Sequence, residues 1–459
     1  MKSTYREVPD SVSQTLEVLG ERVQELLKNR SVSIHAAERS LTVELARVGL
    51  AVMTELLSRL DSDGEDVIVG GQRYWQAVRS RREYMSSFGR VAVERGVYRS
   101  RRNGPTLCPM ELRAGVVEGF WTPQAAKLAA SCISDMTPYR AEGFFRELGM
   151  MDPSRSSLDR LPKALGERWE ASRESYEDRL RKSDEIPKEA VTVAVSLDGV
   201  MVSMRDSNKA ERKAETRSEG RIDKGPAGYK EVACGTLSFY DAEGERLATR
   251  RMARMPEADK KTLKQQLTRE LEHVLAQRPE IVVVAVADGA ANNWEYLHSL
   301  PCDHHVVDFY HAAEHLKRAL DVCMGASALA TRSKFEQLRR TLRDEVSGVD
   351  MVIRALKKLK PKPRGDHRDY RTGIAYFERH RKRMRYATLR RKHLPIGSGV
   401  IEGTCKSLAS DRLKRAGMRW DAAGGQAVLN LRSWSQSDRF DAAWLLLQEN
   451  YRADIPLAA

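Results

Sequence analysis

Three acidic residues stand out as ones that could carry chemistry. Val191, Val193 and Val195 lead to Asp198-Gly199, and the apolar run Ile281 to Ala287 leads to Asp288-Gly289. An acid leaving a buried strand is held rigidly, and a following glycine lets a ligand approach the backbone. A single Asp-Gly is ordinarily a turn, whereas two in one region point to a shared cation site. The third acid lies in Ile396-Gly397-Ser398-Gly399-Val400-Ile401-Glu402-Gly403-Thr404-Cys405-Lys406. Ser398 can cap a helix carrying Glu402 in its first turn, with Lys406 four residues on, so taken alone Glu402 reads as half of a surface ion pair. Cys302, His305, His311 and His315 have spacings known from zinc sites, but a strand-to-helix passage separates His305 from His311. A role for His311 in orienting a carboxylate or a phosphate, or a plain core position, suits it better.

The elements around these residues alternate strand and helix. After Val191–Asp198 come a strand over 229–240, a turn at Asp241-Ala242-Glu243-Gly244, a helix over Pro256–Gln277, the buried strand Ile281–Ala287, and a short strand His305–Asp308 that leads into a helix. Residues 205–228, polar and carrying Gly220, Gly225 and Gly228, read as a mobile loop. The N-terminal part differs. Leu41, Leu45, Val48, Val52 and Leu56 form a helical stripe for the chain's own core or for a second copy. Residues 79–102 read as a short hairpin turning at Arg95-Gly96, with eight arginines against Glu83 and Glu94. Thr122-Pro123 and Thr137-Pro138 each start a helix, Gly149 ends the second, and Ser156 or Ser157 caps a third, a pattern that suits a helix-turn-helix.

Charge narrows the partner. Among 459 residues, 78 lysines and arginines face 64 acids, a net +14, and such an excess favours a polyanion such as nucleic acid. Residues 354–393 hold 16 basic residues against Asp366, Asp369 and Glu378, so this block carries nearly the whole surplus. Arg381, Lys382, Arg383 and Arg385 are its densest run. The interleaved Tyr370, Tyr376, Phe377 and Tyr386 could stack on bases, though packing is their commoner use. The six cysteines include no C-x-x-C pair, and no apolar run approaches a membrane span. A reduced, cytoplasmic protein without membrane contact is expected.

Taken together, Val195-Ser196-Leu197-Asp198-Gly199, Val286-Ala287-Asp288-Gly289-Ala290 and Ser398-Gly399-Val400-Ile401-Glu402-Gly403 resemble the D-D-E motifs of ISKra-type insertion-sequence transposases, kin of the Mutator-like group. Asp308-Phe309-Tyr310-His311, Glu314-His315-Leu316, Gly417-Met418-Arg419-Trp420 and Gly424-Gly425 are similar to further family segments, and the likeness spans about residues 80–435.

The resemblance implies an α/β fold: an RNase H-like mixed sheet with a basic helical insertion, plus a mainly helical N-terminal region with a short β-hairpin. The implied domains are 1–70 (helical), 71–185 (hairpin and helix-turn-helix-like), 186–320 with 395–435 (catalytic), 321–394 (basic insertion) and 436–459 (tail). It also implies two magnesium or manganese ions, with Asp198 bridging both and Asp288 and Glu402 each holding one side. Asp308 and His311 would support that site, while Arg381, Lys382, Arg383, Arg385, Lys406 and Arg419 would contact DNA. Partners would be transposon terminal inverted repeats and target DNA, bound by a homo-oligomer in the bacterial cytoplasm, at the nucleoid. The rival expectations are a nuclease of the same fold that cuts without joining, and a catalytically inactive DNA-binding descendant.

Overall fold

The computed structural model describes residues 8–206, 228–361 and 367–455. The loop expected at 205–228 therefore lies almost wholly outside the described residues. The chain divides into two compact units, one running through Glu177 and resuming at Phe440, the other Asp178–Arg439.

The first unit begins with helices Asp10–Lys28 and Ile34–Arg59. An antiparallel sheet follows, β1 (Asp66–Val69), β2 (Gln72–Ser86), β3 (Gly89–Arg99) and β4 (Thr106–Leu107), in that order. The second helix spreads its apolar residues over more than one face, so periodicity alone could not choose its inner face. Leu57 is buried, with Leu50, Met53 and Leu60 packed beside it against Tyr84, Val91 and Val93. Leu45, Val52 and Leu56 of the expected stripe are exposed.

The hairpin turns at Ser87-Phe88, not at Arg95-Gly96, which lie mid-strand opposite Ser80 and Arg79. Several of its arginines are bound to the unit's own acids, Arg79 to Asp61 at 2.7 Å and the buried Arg95 to Glu111 at 3.0 Å. Helices Pro123–Asp135, Pro138–Leu148 and Arg155–Ala171 then follow. Gly149 ends the second in a left-handed conformation (φ 72°), as the chain reversal requires. The third is capped by Ser154, whose hydroxyl accepts from the Ser157 N–H, earlier than the serines expected.

The second unit is α/β. Its five strands, β5 (Thr192–Met204), β6 (Gly228–Tyr240), β7 (Arg246–Arg254), β8 (Val282–Ala287) and β9 (His304–Val307), lie in the order β7-β6-β5-β8-β9. β5, β6 and β7 pair antiparallel, while β5, β8 and β9 run parallel. Helices Lys261–Gln277 and Phe309–Met324 bury Leu263, Leu267, Leu271, Leu316 and Leu320 in the same core as Val193, Val195 and Val283–Ala287. Helices Leu329–Asp344, Gly348–Lys358, His367–His380 and Tyr386–Arg391 come next. No helix among the described residues is long and apolar enough to cross a membrane.

The ends of this unit meet in a buried ion network. Arg439 forks onto Glu270, with Nη1 to Oε1 and Nη2 to Oε2 both 2.9 Å. Arg439 Nε donates to Asp184 at 2.6 Å, and Arg250 reaches Glu270 at 3.2 Å and Asp184 at 3.1 Å. Burial pushes the Glu270 carboxyl up, but the charges of Arg439 and Arg250 outweigh it and leave it below its ordinary value.

Glu270→Ala would leave two buried guanidinium groups sharing Asp184 alone and is expected to cost about 3–5 kcal/mol in urea unfolding. Because the folded-state value is depressed, the stabilisation is complete above the unfolded glutamate range of about 4.3 and is lost as pH falls through the lower folded value. The melting temperature of the wild type should fall on acidification below about pH 4, and Glu270→Gln should flatten that dependence.

Candidate active site

Strand register sets the acids in a row. β5 pairs with β8 at Val195 and Ala285, and β8 with β9 at Ala287 and Val307. Carried forward by three residues and by one, the same registers set Asp198 level with Asp288, and Asp288 level with Asp308. Neighbouring strands lie about 4.8 Å apart. Asp198 does not end its strand, as its sequence context had implied: β5 continues to Met204 with β6 alongside, and it is β8 and β9 that stop. Asp288 and Asp308 each follow the last residue of a strand.

Each acid has its own anchoring. Asp198 Oδ1 accepts from the Gly199 N–H at 2.7 Å, and the Cys405 thiol faces Oδ2 at 3.9 Å. Asp288 Oδ1 accepts from Ala290 N–H at 3.1 Å and from the Asn293 amide at 3.4 Å, while Trp294 Nε1 donates to the Asp288 carbonyl. Asp308, fully buried, caps the helix Phe309–Met324. Its Oδ1 accepts from His311 N at 2.6 Å and faces His311 Nδ1 at 3.2 Å; its Oδ2 accepts from the Ser398 N–H.

Glu402 arrives from a helix, Gly399–Thr404, that continues as a π-helical turn, Cys405–Ser410. Ile401, Cys405 and Leu408 are buried against Val202, Val232 and Leu429. Packing that face leaves Glu402 exposed on the other. The Ser398 hydroxyl donates to Glu402 Oε1 at 2.9 Å instead of capping a backbone N–H. His311 Nδ1 lies 3.7 Å from the same oxygen. Glu402 thus turns to Ser398 and His311 and not to Lys406, which is exposed.

Asp198 is raised above the ordinary carboxylate value, chiefly by burial, with the negative charge of Asp288 adding to it. The Gly199 N–H, Lys260 and His311 oppose that rise. His311 is raised to about 9 by its bond to Asp308, against a burial effect of opposite sign, and Glu402 and Asp288 reinforce its charge. It is therefore a cation at neutral pH, standing between Asp308 and Glu402. Asp308, His311 and Glu402 offer one ligand atom each within 4.8 Å of one another. While His311 is protonated, however, neither ring nitrogen has a lone pair for a metal. An all-oxygen set of carboxylates suits magnesium or manganese, and a cation would relieve the repulsion between Asp198 and Asp288.

The glycines after the two aspartates do not leave open space. A Cβ on Gly199 would collide with Glu231 Oε1, and one on Gly289 would collide with the Tyr376 ring. The chain's own side chains occupy both approaches. The zinc spacing dissolves as well: His305 lies against His298, with ring centroids 4.5 Å apart, and His315 stacks on Tyr376 at 3.9 Å. Phe377 and Tyr386 are fully buried, and the Tyr370 hydroxyl donates to the Leu356 and Leu359 carbonyls, so these aromatics pack instead of facing solvent.

Among the basic residues, Arg381, Lys382, Arg383 and Arg385 line a cavity of about 500 Å³ with Arg379, His298, His304 and His305. Arg383 is fixed there by His380 Nδ1 at 2.9 Å and lies 4.3 Å over the Trp294 ring. Arg381 is paired with Asp350. Arg419 is exposed in the loop before Trp420. Asn293, Ser398 and Lys260 escaped the sequence reading as site residues. Ser398 carried a capping signal that pointed to the backbone, and the other two carried none.

No protein-family model matches this chain, and no curated protein sequence matches it. Among solved structures the chain is similar to the Drosophila P element transposase strand transfer complex, at 13% identity over 74% of this chain and 83% of that one, with a TM-score of 0.27.

Gly289→Ala should drive its methyl into the Tyr376 ring and cost about 1–3 kcal/mol in denaturant unfolding. Tyr376→Ala in the same chain should remove most of that specific penalty, so a double-mutant cycle should give a clear coupling energy.

Proposed function

We propose that this chain is a DDE transposase with an RNase H-like core, cleaving DNA at transposon ends and joining the freed 3′-hydroxyl to target DNA. The observation that carries the reading is the row of carboxylates where β8 and β9 end beside the middle of β5, in a sheet of order β7-β6-β5-β8-β9, met by a glutamate from a distant helix. That strand order, with three antiparallel strands followed by two parallel ones, supports an RNase H-like core.

In this reading Asp198, Asp288 and Glu402 would hold two magnesium or manganese ions, which activate the attacking oxygen and stabilise the leaving one. The protein's own residues then divide the remaining work. Asp308, buried and anionic, keeps His311 protonated and fixes its ring. His311 and the Ser398 hydroxyl orient Glu402 from two sides. Arg381, Lys382, Arg383 and Arg385 give the unit a basic cavity in which DNA phosphates can bind without base reading. Lys406, one helical turn beyond Glu402, and Arg419 are both exposed and would add phosphate contacts of their own. The terminal repeats and the target would be bound by a homo-oligomer.

Asp198→Asn, Asp288→Asn and Glu402→Gln are each expected to abolish cleavage of a terminal-repeat duplex in magnesium while leaving its binding within about threefold of wild type. Cutting retained by any purified variant would remove that residue from the triad. A plasmid-joining assay on pre-cut ends decides between a transposase and a nuclease: joined product is expected, and hydrolysis alone would leave only the nuclease.

Neutralising Arg381, Lys382, Arg383 and Arg385 together should weaken binding to all duplexes alike. The slope of log affinity against log salt should become shallower by about 0.9 for each phosphate that the variant no longer neutralises. An unchanged slope would place DNA elsewhere on the molecule.

A further inference from the structure

Lys260 is held in place by an unusual backbone. Asp259 and Lys260 have φ of 54° and 52°, left-handed values that residues with a Cβ adopt only where the surrounding structure imposes them. The sequence reads as a helix from Pro256, yet the helix begins at Lys261. The two left-handed residues direct the Lys260 side chain into the site, where it is only 18% exposed. Its ammonium donates to Glu231 Oε1 at 3.0 Å and to Asn293 Oδ1 at 3.3 Å.

Both partners lead to the acids. Asn293, nearly buried, donates through its amide nitrogen to Asp288 Oδ1 at 3.4 Å and to the Leu197 carbonyl, beside Asp198, at 3.5 Å. The Glu231 carboxylate lies over Gly199, whose N–H holds Asp198. Lys260 is therefore linked to Asp288 through one amide, and to the Gly199 backbone beside Asp198 through Glu231.

We propose that Lys260 is the built-in counter-cation of the Asp198–Asp288 pair: it holds the two carboxylates together when no divalent ion is bound and competes with that ion for them. This rests on the preceding reading that the pair binds metal. The physical ground is that an ammonium and a divalent ion seek the same negative charge and repel each other. For charges +1 and +2 about 8 Å apart, the repulsion weakens ion binding by about fivefold even at the dielectric constant of water, and partial burial only enlarges it.

The test uses the full-length protein and Mn²⁺ alone, with free Mn²⁺ followed by electron paramagnetic resonance. Lys260→Met should tighten Mn²⁺ binding by about fivefold or more and lower the melting temperature in EDTA, while Lys260→Arg should match wild type in both. Lys260→Gln, which keeps a donor for Glu231 without the charge, is the second variant and should also tighten binding. A residue that merely propped up the backbone would loosen binding when removed, so the direction of change separates the two roles. Unchanged or weaker Mn²⁺ binding in the folded neutral variants overturns the Lys260 assignment alone. No Mn²⁺ binding by the wild type overturns it together with the metal reading beneath it.

Discussion

Negative charges crowded where two strands of a sheet end beside a third are the constraint on which the second unit depends. Parallel pairing of β5, β8 and β9 sets Asp198, Asp288 and Asp308 level with one another, and partial burial removes the water that would screen them. Like charges in such a place disfavour ionisation unless donors and cations are supplied. The structure supplies them from every side: peptide N–H groups at Gly199, Ala290, His311 and Ser398, and the imidazolium of His311. The helices that open just after β8 and β9 bring the Ala290 and His311 N–H groups to the two acids. The fold and the electrostatics of the site are in this sense one problem, solved together.

Glu402 is placed by a different means. Its helix is anchored by apolar packing on its opposite face, through Ile401, Cys405 and Leu408. Its carboxylate is then trimmed into position by Ser398 and His311. Ser398 connects the two modes, because its backbone N–H binds Asp308 while its hydroxyl binds Glu402. A shift of the 396–402 segment would therefore be felt at both carboxylates at once. The exposed side of Glu402 leaves room for a ligand that the enclosed Asp308 does not have.

Legibility in the sequence followed the physics of each element. Strand β8 was plain because a β-branched run bounded by Asp-Gly has few other homes. Strand β7 was hidden, since Arg246, Arg250, Arg251 and Arg254 make it look like surface, and Arg250 is buried only because Glu270 and Asp184 receive it. The α/β character of the second unit and the helix starts at Pro123 and Pro138 could be read from local pattern. The hairpin turn could not, because Arg95-Gly96 carries a turn-like dipeptide in mid-strand and the real reversal uses Ser87-Phe88. At the site, strand context pointed to Asp198 and Asp288, and the histidine spacings raised His311 as a residue that orients a carboxylate or phosphate, while Glu402 and Asp308 came from the resemblance. The identities of Asn293 and Ser398 as partners depend on contacts across the fold that no local window contains.

The pairing of Asp184 with Arg439 has a consequence for how the chain is made. These residues lie near the two ends of the second unit, so that unit is an insertion whose entry and exit are pinned together, and its host is interrupted by it. The helix Phe440–Gln448 and the buried Tyr451, which belong to the first unit, leave the ribosome only after the whole of the second. Domains generally fold as units during synthesis, N-terminal first. Here the first unit completes its packing only when that late helix emerges, and the inserted unit can close before then.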